Sequence, residues 1–126
     1  MDYSNKSILV CDDSILARKQ LKDTITDECG KITIYEGKNG QEAVSLYQEH
    51  KPDLVLLDIV MPEMDGTTAV ENIIAFDPDA TIVIVSSVGT QLQLKKAITA
   101  GAKDFIQKPI DVAQVKNLIH THLGGE

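Results

Sequence analysis

Residues 53–60 read Asp53-Leu54-Val55-Leu56-Leu57-Asp58-Ile59-Val60. Four aliphatic residues run without interruption and end on a carboxylate. A strand with one wet face alternates polar and apolar residues; an unbroken aliphatic run is how a strand reads when both faces are covered, as in a parallel sheet. Ile8 to Cys11 repeats the pattern and is followed by Asp12-Asp13. Ile82 to Val85 repeats it again, followed by Ser86-Ser87. A shorter run, Phe105-Ile106, leads to Lys108-Pro109. Ile32 to Tyr35 alternates instead, and is the candidate edge strand.

The segments between these runs have helical spacing. Ala17, Leu21 and Ile25 recur every fourth residue. Asn39-Gly40-Gln41-Glu42 resembles a capping box, with Ala43 and Tyr47 on one face behind it. Val70, Ile73 and Ile74 share a stripe that stops at Asp77-Pro78. Leu94, Ala97 and Ile98 are followed by Gly101, a candidate C-terminal cap. A last stripe of Val115, Leu118 and Ile119 begins after Asp111. Strand and helix alternate five times, which implies right-handed crossovers and an α/β fold: a single five-stranded, doubly wound parallel sheet.

The bulk numbers agree. The chain of 126 residues suits one domain, 1–126, with its core over about 6–123. Aromatics are only 4%, so the core must be aliphatic. Twelve basic against nineteen acidic residues give a net charge of -7, which argues against nucleic acid or an anionic membrane as partner. No apolar run approaches the ~20 residues of a membrane span, and no secretory leader is evident. The cytoplasm and a monomer are expected. Cys11 reads as a small buried thiol and Cys29 as peripheral, with no disulfide between them. His120 and His122 lie two apart on a helix and do not face each other; both read as solvent-side residues at a helix end. His50 reads as a turn residue, and the tail Gly124-Gly125-Glu126 as frayed.

In open parallel sheets ligands bind beyond the carboxyl ends of the strands. Asp12 and Asp13, Asp58, Ser86 and Ser87, and Lys108 all follow strands, whereas Tyr35-Glu36-Gly37 after the edge strand reads as a plain turn. Each piece has an ordinary explanation alone. Asp12-Asp13-Ser14 can cap a helix, Asp58 can be a loop carboxylate, the serines can be turn hydroxyls, and prolines often follow strands. Together the ordinary explanations fail, because three converging carboxylates repel. A hard divalent cation such as magnesium relieves that repulsion. Carboxylates, a lysine and a hydroxyl at one edge suit phosphoryl transfer, with an Asp carboxylate attacking in line.

Over Ile8 to about Leu123 the sequence resembles the receiver domains of two-component response regulators, and within them the CheY-like chemotaxis type. The matching pieces are Ile8-Leu9-Val10-Cys11-Asp12-Asp13-Ser14, the stretch Asp53 to Gly66 with Met61-Pro62-Glu63-Met64-Asp65-Gly66 after Asp58, the Val85-Ser86-Ser87 strand end, and Gly101 to Pro109. The resemblance implies a flavodoxin-like fold with strand order 2-1-3-4-5. It implies Asp58 as phosphoacceptor and Mg2+, replaceable by Mn2+, on Asp13, Asp12, Asp58 and the Val60 carbonyl. Lys108 would pair with phosphoryl oxygens, Ser86 would move to the phosphoryl group, and Phe105 would turn inward behind it. Lys108 and Pro109 would share a cis peptide. The implied partners are a histidine kinase, a downstream protein target such as the flagellar switch, and a phosphatase. The chain would not be an enzyme beyond its own phosphorylation and slow dephosphorylation. Within the family the alternatives are a phosphorelay intermediate or a receiver cut from a longer regulator.

Two departures from the family pattern carry expectations. The switch aromatic is often Tyr, and Phe105 lacks its hydroxyl. Val60 and Val88, two positions after Asp58 and Ser86, cannot orient an attacking water, so slow self-hydrolysis is expected. A haloacid dehalogenase-type phosphatase also uses Asp, Ser or Thr, Lys and magnesium, but its acid/base would stand where Val60 does. No hydroxyl- and glycine-rich loop for FMN, GxGxxG loop or P-loop is present.

Overall fold

In the computed structural model the described residues are 3–61, 64–87 and 91–124. Pro62, Glu63, Val88 and the terminal Gly125-Glu126 lie outside them, and with them the expectations on Val88 and on the last two residues of the tail; Gly124, expected to fray, ends a π-helical turn. The order is β1 (Ser7–Cys11), α1 (Ile15–Cys29), β2 (Thr33–Gly37), α2 (Gly40–His50), β3 (Leu54–Asp58), α3 (Gly66–Phe76), β4 (Ile82–Ser86), α4 (Gln91–Ala100), β5 (Asp104–Gln107) and α5 (Val112–Ile119), then a π-helical turn at His120–Gly124. All strand pairs are parallel, in the order β2-β1-β3-β4-β5. This is the flavodoxin-like arrangement. No described helix is long and apolar enough to cross a membrane.

The two-residue period of the strands sorts their side chains between two cores. Leu9, Val55, Leu57, Ile82 and Ile84 point to one face and meet Ala43, Tyr47, Val70, Ile73 and Ala97 of α2, α3 and α4. Ile8, Val10, Leu54, Leu56, Val83 and Val85 point to the other and meet Leu21, Ile25, Val115 and Ile119 of α1 and α5. Burying each large aliphatic side chain contributes about 1.5–3 kcal/mol. Helices α1, α2, α3 and α5 begin at polar caps: Ser14 accepts from the Ala17 N–H, Asn39 from Glu42, Asp65 from Thr68 and Asp111 from Ala113. Each such cap contributes about 1 kcal/mol. Glu42 reaches back to the N–H of Lys38, one residue before the cap. Gly101, at φ +134°, closes α4 with its N–H on the carbonyls of Ala97 and Ile98.

Four local readings are corrected. Tyr35-Glu36-Gly37 is not a turn but the second half of β2, paired with Leu9, Val10 and Cys11. A Cβ on Gly37 would lie 2.6 Å from the Cys11 sulfur, so a glycine keeps this edge strand against β1. Cys29 is buried rather than peripheral, because α1 carries the Leu21, Ile25 stripe one turn further; burial pushes its thiol up to about 11. His122, in the π-helical turn, is half-buried rather than on the solvent side, with its Nε2 buried 3.9 Å from Asp104 of β5. His50 ends α2 and stacks on Tyr35, ring centroids 4.0 Å apart.

Candidate functional site

From β1 the chain moves outward to β2 on one side, and from β3 outward to β4 and β5 on the other, so it diverges between β1 and β3. A crevice opens beyond the carboxyl ends of strands at such a point. Asp12 and Asp13 follow β1 there, and Asp58 ends β3. One carboxylate oxygen from each of the three lies within 4.8 Å of the other two. Ser14, not the aspartates, caps α1, which leaves both acids for the crevice. Asp12 is 1% exposed and Asp58 7%, whereas Asp13 faces solvent.

Lys108 enters from beyond β5. Its backbone N–H donates to the Ser86 carbonyl at 2.6 Å, tying it to the end of β4, and the Lys108–Pro109 peptide is cis. Its Nζ donates to Asp12 Oδ2 at 2.7 Å and to Asp58 Oδ2 at 3.3 Å. Ser86 is buried, 3% exposed, at the end of β4. Phe105 on β5 is 44% exposed, and with Ser86, Ser87, Leu94 and Gln107 it lines a cavity of about 160 Å3. Val60 is exposed beside the crevice.

The titration of the two partners differs in cause. Burial lowers the Lys108 pKa, but the Asp12 hydrogen bond and the charges of Asp58 and Asp12 outweigh it and raise the value. Asp58 is nevertheless raised above the usual carboxylate range, by burial first and then by Asp12; Lys108 and the Val60 N–H only partly oppose this. The reason is geometric: Lys108 sits closer to Asp12 and leaves Asp58 with the longer contact. A carboxylate whose folded pKa is raised removes stability as pH climbs from its unfolded value through the folded one. The metal-free Asp58→Asn variant is therefore expected to melt higher than wild type at neutral pH. The gap should open as pH rises from about 4 and close below it. A lower melting temperature for the variant at pH 7 would contradict this electrostatic picture.

The response regulator receiver domain family matches over residues 8–120. The chain belongs to that family. Chemotaxis protein CheY of Thermotoga maritima is 46% identical over 110 residues, covering 87% of this chain and 91% of that protein. Among solved structures, the CheX-CheY-BeF3-Mg complex of Borrelia burgdorferi superposes with a TM-score of 0.83 at 38% identity, covering 92% of this chain and 87% of that one. NtrX of Brucella abortus matches at a TM-score of 0.85 and 28% identity, but this receiver domain spans only 26% of that longer chain.

The structure thus brings Asp12, Asp13, Asp58, Ser86 and Lys108 to one edge of the receiver sheet, with Phe105 one strand away from Ser86. Two contributors carry roles that residue types alone did not assign. Gly66 opens α3 directly against the backbone under Asp58, and Arg18 on α1 donates to the Asp12 carbonyl. Gly66 was visible as part of the Met61 to Gly66 stretch, without the reason for a glycine there. Arg18 bonds a main-chain atom, which leaves no mark on residue types.

Proposed function

We propose that this receiver accepts a phosphoryl group on Asp58 from the phosphohistidine of a histidine kinase. The observation that carries the reading is the convergence of three carboxylates within 4.8 Å with one lysine as the described counter-charge. One lysine leaves an excess of negative charge, and a set of hard oxygen donors fits magnesium, or manganese in its place. Asp12, Asp13, Asp58 and the Val60 carbonyl would hold the ion, which when bound supplies positive charge to the equatorial phosphoryl oxygens. A carboxylate oxygen of Asp58 attacks phosphorus, an acyl-phosphate P–O bond forms, the P–N bond breaks, and the electron pair returns to the imidazole. Lys108 turns from the carboxylates to the new phosphoryl oxygens. Ser86 donates its hydroxyl to them.

Withdrawal of Ser86 would enlarge the cavity it shares with Phe105. A cavity of about 150 Å3 admits a benzene molecule, so the 160 Å3 present here suits the Phe105 ring. Inward movement of the ring would reshape the face formed by α4, β5 and α5 and shift a two-state equilibrium. That face would engage a downstream protein. The names of the CheY relatives support a chemotaxis role, with the flagellar switch as target; the short span of the NtrX match keeps open a receiver that serves within a longer regulator. On this reading the chain turns over no separate substrate.

Incubation with acetyl phosphate and magnesium followed by mass spectrometry tests the proposal. Wild type should gain one phosphoryl mass and Asp58→Asn none. No gain in wild type, or a gain that persists in the variant, would remove the acceptor assignment. The exposed Val60 offers no group to orient water, so the phosphoprotein should decay slowly and Val60→Asn should shorten its lifetime. Rapid decay of wild type, unmoved by that substitution, would refute the second expectation alone.

A further inference from the structure

Asp12 is held at every polar atom. Its N–H donates to the Gly37 carbonyl of β2 at 3.1 Å. Its Oδ1 accepts from the Ser14 N–H at 2.9 Å and its Oδ2 from Lys108 at 2.7 Å. The remaining atom, its carbonyl oxygen, accepts from Nη1 of Arg18 at 2.6 Å. That carbonyl belongs to the peptide joining Asp12 to Asp13, so whatever fixes it also fixes the direction in which Asp13 leaves the strand.

Arg18 is itself restrained. It sits one turn into α1, with a side chain only 14% exposed. Its Nε donates to Glu36 Oε1 at 3.1 Å, and the other oxygen of Glu36 accepts from Lys22 at 2.8 Å. A planar guanidinium can serve two acceptors from one fixed plane, which a lysine ammonium on a flexible stem cannot reproduce. The fork therefore links three elements: the end of β1 through Asp12, the end of β2 through Glu36, and α1 that carries it.

We propose that Arg18 is a positioning residue for the cation site, aiming Asp12 and Asp13 by clamping the carbonyl between them, with Glu36 holding the clamp in plane. This rests on the acceptor reading given above. It goes beyond it in assigning the aim of two acidic side chains to a residue that touches neither carboxylate. Electrostatics alone predicts the opposite sign. Arg18 is a cation beside a site for a dication, so deleting its charge should tighten magnesium binding. Loss of aim should weaken it. Outer partners of metal ligands typically contribute about 10–100-fold in affinity.

Wild type, Arg18→Ala and Arg18→Lys are titrated with magnesium chloride by calorimetry. In parallel, phosphoryl uptake from acetyl phosphate is followed against magnesium concentration. Magnesium should bind Arg18→Ala about 10-fold more weakly, and the half-saturating magnesium for uptake should move with it while the rate at saturating magnesium changes far less. Arg18→Lys, which keeps the charge and lacks the fork, should also be weakened and guards against a variant that fails to fold. A purely structural Arg18 would lower the metal-free melting temperature and leave the affinity in place. An unchanged or tighter affinity in Arg18→Ala overturns the proposal, as does full recovery in Arg18→Lys. A wild type that neither binds magnesium nor gains phosphoryl mass would instead sink the acceptor reading, and this proposal with it.

Discussion

Lys108→Met is expected to cost the metal-free protein about 3–5 kcal/mol, the usual penalty for removing one partner of a buried ion pair. Methionine keeps much of the stem and removes the charge. Asp12, 1% exposed, would then keep its carboxylate with the Ser14 N–H as its remaining described side-chain partner. Asp58 would lose the cation that offsets its burial. The backbone bond from residue 108 to Ser86 would persist, so the loss reports on charge and not on the strand end. A domain has only about 5–15 kcal/mol in total, and the variant should unfold at visibly lower urea. Magnesium should give part of the loss back, since a ligand at 100 times its Kd stabilises by about 2.7 kcal/mol. Urea titrations with and without magnesium measure both. The native contribution of Lys108 should hold to about pH 10 and disappear as pH passes the raised folded value. A metal-free loss below about 1 kcal/mol, the range of exposed pairs, would show that Lys108 does not compensate a buried charge.

Gly66→Ala is expected to destabilise by on the order of 3 kcal/mol and to slow phosphoryl uptake as well. Alanine favours a helix over glycine by about 1 kcal/mol, so propensity alone predicts a gain at this first position of α3. Space decides against it. A Cβ there would lie 2.3 Å from the carbonyl oxygen of Asp58 and 2.7 Å from the Cα of Ile59. Both are backbone atoms at the end of β3 and cannot rotate aside. The Gly66 N–H also donates to the Ile59 carbonyl at 2.7 Å, drawing the helix start onto the strand end. Relief on the strand side would shift Asp58 relative to Asp12 and Lys108. Chemical denaturation and the rate of labelling by acetyl phosphate should fall together. A variant as stable as wild type with normal labelling would mean that the loop yields freely.

The central strands were legible because Leu54 to Leu57 and Ile82 to Val85 are short aliphatic runs set between helical patterns, as a doubly covered sheet requires, and the acids were legible because they follow such runs. β2 was half-legible. Its outer edge mixes Thr33, Tyr35 and Glu36 with Ile34, so its composition fades into that of a turn, and only pairing with Leu9, Val10 and Cys11 keeps it extended. Cys29 was misread because a small thiol beside a glycine resembles a helix end, whereas the Leu21, Ile25 spacing continues through it. The half-buried His122 lies in a π-helical turn, a departure from the 3.6-residue period that periodicity cannot foresee. Contacts to main-chain atoms, as at Gly66 and Arg18, are invisible for a different reason: their partners are carbonyls that every residue carries.

Lys108 reaches Asp12 across 96 positions of chain and Asp58 across 50. These are among the most distant pairings the chain makes, and closing such long loops comes at an entropic cost that slows their formation. The two acids, by contrast, stand on neighbouring central strands that a chain lacking β5 could already pair. Such an intermediate would hold the acidic cluster with its counter-charge still to arrive, and the repulsion would favour protonated or separated carboxylates. Completion of the charge cluster at the crevice therefore waits on the docking of β5, which carries Lys108 to the ends of β1 and β3.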